Sequence, residues 1–152
     1  MLPDALFTAP ELSVALVGRL LGLGGLLPFI ACVAGLWVRE DMLFLQAMLL
    51  YGAVILSFLG GIQWGLALGS SAAAGQLLWS VVPSLVAWGA LFTGPLAGPL
   101  ILAAGFVAAW AWEQRAPQAR RVPAWYRSLR HQLTIVVVLC MIAGAIWSSR
   151  LL

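Results

Sequence analysis

Long apolar runs, interrupted by short stretches holding arginine, proline and glycine, make up nearly the whole chain. A helix crossing a hydrocarbon core about 30 Å thick needs about 20 apolar residues. Five segments meet or approach that length: 14–38, 43–68, 76–92, 96–112 and 133–149. The runs are continuous rather than alternating, so a β-barrel is excluded. The pattern predicts an all-α integral membrane bundle of five transmembrane helices, one domain over residues 1–152. The uncharged link Gly94–Pro99 predicts a tight hairpin between the third and fourth helices, with Pro99 tolerated in a first turn.

Between the fourth and fifth helices the run PAWYRSLRHQL, residues 123–133, predicts a short basic interfacial helix. Trp125, Leu129 and Leu133 recur at i, i+4 and i+8, while Arg127, Arg130 and His131 fall on other faces, as a headgroup-layer helix requires. A topology-setting loop with snorkelling arginines is the plainer alternative. On either reading Arg120, Arg121, Trp125, Arg127 and Arg130 are expected to meet lipid headgroups or an acidic partner surface.

Composition sharpens the class. Of 152 residues, 63% are hydrophobic and 9% charged, against about 45–50% and about 25% in a soluble domain. The net charge of +3 comes from arginine alone, and the arginines cluster beside apolar segments, so nucleic-acid binding is not expected. Arg19, Arg115, Arg120, Arg121, Arg127 and Arg130 fall on one side of a five-pass layout, and Arg39 and Arg150 on the other. The positive-inside rule then puts the N-terminus inside and the C-terminus outside. The opening MLPDALFTAPELS has no basic residue before the first apolar run, so a cleavable signal is not expected and the first helix should be retained.

The second helix carries the most unusual stretch, YGAVILSFLGGIQWGLALG. Counted in fours, Ala53, Ser57, Gly61, Gly65 and Gly69 form a stripe of small residues, and Gly18 and Gly22 repeat the theme in the first helix. Such stripes let helix backbones approach closely in lipid, so they are expected to be a packing seam, either within the chain or toward a partner. Gln63 points nearly opposite the stripe. Its amide needs a partner in lipid, for which Ser84 and the carbonyls freed by Pro28 and Pro83 are candidates. With Trp64 and Trp79 these residues are a candidate polar or ligand site, for a quinone or phospholipid. Trp37, Trp110, Trp112, Trp125 and Trp147 fit an interfacial aromatic belt.

Catalytic chemistry finds little to build on. No Asp, Glu, Lys, Arg or His lies well inside the five segments, and proton relays and ion-coupled transport normally depend on such residues. His131 is the single histidine and cannot provide bis-histidine haem ligation. Cys32 and Cys140 lack metal-ligand spacing, so no metal, no cofactor and no enzyme are expected.

GLGGLLPF (Gly22–Phe29), the YGAVILSFLGGIQWGLAL run and WSVVPSLVAWGAL (Trp79–Leu91) together resemble the bacterial and mitochondrial family of domain-of-unknown-function 3429, the transmembrane protein 69-like proteins. The resemblance supplies no catalytic residues. It implies a bacterial inner membrane, or the related mitochondrial one. The leading expectation is a non-enzymatic accessory or assembly protein that packs against a larger membrane complex, a respiratory-chain complex first among them. Binding of a quinone or lipid is the alternative, and a channel or transporter for a small neutral solute a second one. Membrane lipids, another integral membrane protein and a second copy of the chain are the expected partners.

Overall fold

The computed structural model describes residues 8–68, 73–115 and 123–151. Among these residues all regular structure is helical, in six pieces: α1 (Thr8–Gly24), α2 (Leu27–Arg39), α3 (Met42–Leu68), α4 (Ala73–Ala90), α5 (Ala97–Arg115) and α6 (Ala124–Ser149). By length and composition three stretches suit a membrane crossing: Val14–Arg39, Met42–Leu68 and Ala124–Ser149. This is fewer than the five expected from the sequence. The remaining two helices, α4 and α5, span 18 and 19 residues.

The first predicted helix is broken rather than continuous. Pro28 has no N–H and its ring clashes with the carbonyl four residues back, and that carbonyl belongs to Gly24 in the loose pair Gly24–Gly25. The chain turns through Gly25 and Leu26, and α2 restarts with Pro28 in its first turn. Leu26 N donates to Leu23 O at 3.0 Å, closing a tighter turn. The Tyr51 hydroxyl of α3 donates to the Gly25 carbonyl at 3.1 Å. It thereby satisfies a backbone acceptor at the break, one residue after the Gly24 carbonyl that Pro28 frees. Tyr51→Phe is expected to cost about 1 kcal/mol, the usual net value of such a bond, read as a lower midpoint in detergent unfolding. A midpoint equal to wild type would show that the break needs no pin.

A second correction concerns the basic segment. It is not a separate interfacial helix but the opening turns of α6. Pro123 caps the helix, and between Ala124 and Ser149 there is no proline and no glycine before Gly144, so nothing stops the helix from running through.

The core lies where α2, α3, α5 and α6 meet, on Phe29, Leu36, Leu45, Met48, Leu56, Leu102, Phe106 and Met141, all fully buried. Gly52 sits at its centre, because a Cβ there would crowd Met141 and Leu102 and touch the Phe29 ring. Phe29 packs against Tyr51 at 4.9 Å and edge-on to Phe106 at 6.4 Å. α4 and α5 form a hairpin whose turn is tied by Thr93 Oγ1 donating to Ala90 O at 2.7 Å. At one end of the bundle the Arg150 guanidinium lies 4.1 Å over the Trp37 ring, which joins the ends of α2 and α6.

Candidate functional site

The site begins with the spacing of residues along α6. Tyr126, Arg130 and Thr134 follow one another at intervals of four, so they line one helix face. Trp125, Leu129 and Leu133 occupy the neighbouring face and meet α1. Gly18 permits this approach, since a Cβ there would lie 2.9 Å from the Trp125 ring, and Gly22 stands against Leu129 and Leu133. The expected small-residue packing at Gly18 and Gly22 is therefore an α1–α6 contact.

Arg130 is 7% exposed and forms a two-pronged ion pair with Glu113 at the end of α5. Nε donates to Glu113 Oε2 at 2.9 Å and Nη2 to Oε1 at 2.8 Å. Thr134 Oγ1 donates back to the Arg130 carbonyl at 2.9 Å. The sequence placed Arg130 among headgroup contacts. The structure instead turns it inward, because continuation of α6 carries it to the side facing α5. Charge-assisted paired bonds of this kind are short and directional, and here they clamp α5 to α6.

Beside the clamp is an apolar cleft of about 380 Å³. α1 contributes Gly18, Leu21 and Gly22, α3 contributes Ile55, Phe58, Leu59 and Ile62, and Phe106 of α5 closes the back. Tyr126, Arg130 and Thr134 are its polar residues. Leu21 and Phe58 remain 72% and 63% exposed and frame its mouth between α1 and α3. α1 packs chiefly on α6 rather than on α3, which leaves that side open.

The residues singled out from sequence on α3 and α4 are not brought into this cleft. Gln63 is half-buried, and its side-chain amide makes no hydrogen bond to another described residue. Trp64, 46% exposed, lines a shallow outer groove with Leu77, Leu78 and Val81. Trp79 stacks on Trp112 at 4.6 Å, and Ser84 is half-buried. Within the stripe, Ala53 is buried and Ser57 half-buried, whereas Gly61 and Gly65 are exposed and a Cβ on either would touch nothing. The close approach of α3 to α4 falls instead on Gly60, packed against the Ser80 backbone carbonyl. Gly69, Arg120 and Arg121 lie outside the described residues, and Arg127 is exposed.

Sequence reasoning missed the cleft and Glu113. The available signal was a lone acid at the end of one apolar run and an arginine at the start of the next. Near them Trp110 packs 5.5 Å from the His131 ring, and its indole nitrogen is buried without a partner among the described residues.

Comparison with known proteins agrees with the membrane class. The family described as "Protein of unknown function (DUF3429)" matches residues 15–146. Transmembrane protein 69 of Xenopus tropicalis is 35% identical over 142 aligned residues, covering 85% of this chain and 53% of the relative. The chain thus spans about half the length of the curated relative it matches. No solved structure matches it significantly.

Proposed function

Given that this chain belongs to the DUF3429 family of proteins of unknown function, we propose that it is a non-enzymatic accessory or assembly protein. It packs through its helices against a larger membrane complex, and a respiratory-chain complex is the first partner to test. One observation carries the reading. Gly61 and Gly65 stand exposed on α3 with open space above them. Small residues in lipid serve close helix approach, and among the described residues these two serve none. A helix of another protein can lie there at short range.

The same proposal includes a five-pass arrangement in a bacterial inner membrane, with α4 and α5 crossing as a short hairpin. Contacts at the two ends support the orientation. The Gly18–Trp125 and Glu113–Arg130 contacts gather Arg19, Arg115, Arg127 and Arg130 at one end. The Trp37–Arg150 contact gathers Arg39 and Arg150 at the other. The arginine-rich end is the inside.

The test is a mild-detergent purification of the tagged full-length protein from its native membrane. Co-recovery of a respiratory-chain complex in stoichiometric amount is expected, with a loss of at least tenfold when Gly61 and Gly65 become Leu. A Cβ at either position meets no described atom of the chain, and unchanged helical content and elution volume of the variant check that the fold is retained. Recovery of the tagged protein alone sinks the reading.

A further inference from the structure

We propose that the cleft between α1, α3 and α6 holds one acyl chain of a membrane glycerolipid, with the ester carbonyl of that chain received by Arg130 and Tyr126. Three observations lead there. The first is size. At about 380 Å³ the space lies near the lower end of the roughly 300–1,000 Å³ typical of small-molecule sites, so it admits one chain of a lipid and leaves the other in the bilayer. Its mouth between Leu21 and Phe58 opens sideways from the bundle. The occupant therefore enters from the hydrocarbon.

The second is charge. Arginine carries five N–H donors, and the pair with Glu113 uses those on Nε and Nη2, so the Nη1 donors take no part in it. The guanidinium charge is already balanced by a carboxylate 2.8 Å away. An anionic head would approach that carboxylate as well, whereas a neutral carbonyl oxygen gains donors without repulsion. Tyr126, one turn earlier on the same face of α6, adds a hydroxyl on the same cleft.

The third is depth. Arg130 is the seventh residue of α6, about 9 Å along the axis from Ala124 at 1.5 Å per residue. With Ala124 at headgroup level, this places the guanidinium near the boundary of the hydrocarbon, where the ester groups of glycerolipids lie.

The proposal is independent of the partner reading. It is tested on the full-length protein in vesicles of ether-linked phosphatidylethanolamine and phosphatidylglycerol analogues, using ester-linked phosphatidylethanolamine with a photoactivatable group on one acyl chain as the probe. Labelling is expected to concentrate on peptides of α1, α6 and the Ile55–Ile62 stretch. Excess ester-linked lipid should compete at least threefold better than its ether-linked analogue, which lacks the carbonyl. Ile62→Trp, which fills the cleft, should reduce labelling at least fivefold while helical content and elution volume hold. Even labelling of outward residues such as Leu16, Leu50 and Leu139, or equal competition by ester and ether lipids on the wild-type protein, would overturn it. So would recovery of an isoprenoid quinone, with no phospholipid, from the purified protein.

Discussion

Arg130→Ala lowers the stability of the folded chain by about 3–5 kcal/mol, the range for breaking one partner out of a buried ion pair. The Glu113 carboxylate is then left with no ion-pair partner among the described residues, its side chain only 12% exposed. Glu113→Gln is expected to cost less, because the long arginine stem can turn its head toward the headgroup layer, a route closed to the shorter carboxylate. Replacing both, Arg130→Met with Glu113→Leu, should recover most of the loss, since apolar residues of similar volume often substitute for a buried pair at little cost. Unfolding of the three variants by denaturing detergent compares the three losses directly. Single variants within 1 kcal/mol of wild type would mean that the pair is solvated in the membrane.

Gly60→Ala and Gly61→Ala, one residue apart, should move stability in opposite directions. A Cβ at Gly60 meets the Ser80 backbone carbonyl of α4 and lies 3.6 Å from Pro83 Cβ. A backbone oxygen cannot rotate away, so α3 and α4 must separate, at a cost of about 1–3 kcal/mol for an overpacked contact. At Gly61 the new methyl meets nothing, and the helix gains up to about 1 kcal/mol of intrinsic propensity. Thermal unfolding of both variants in one detergent decides it; equal shifts of the same sign would mean that α4 does not sit on Gly60.

The contrast between these glycines shows what was legible beforehand. Continuous apolar runs reveal a helical membrane protein, but the same continuity hid the break near Gly25, since Pro28 and the two glycines before it lie within an unbroken apolar run. The side of α3 that faces inward was not legible, because the helix is apolar all round and lacks the polar stripe that orients a soluble helix. The glycines were therefore read in phase with Ser57, although the buried row runs through Leu45, Met48, Gly52, Leu56, Leu59 and Gly60. The ion pair stayed hidden for another reason. Glu113 and Arg130 lie on different helices, 17 positions apart, and only the packing of α5 on α6 decides whether they meet, which no local periodicity encodes. The cleft is less legible still, since it arises from α1 leaning on α6 rather than from any motif.

That lean also orders the assembly of the protein. Gly18 and the Trp125 ring it receives are 107 positions apart, and α1 has no other extensive neighbour among the described residues. During synthesis α1 therefore enters the bilayer long before its docking surface exists, and it stays a solitary lodger in lipid until α6 has emerged. Membrane insertion and closure of the bundle are separate events for this helix, and its turning onto α6 is a late step of folding.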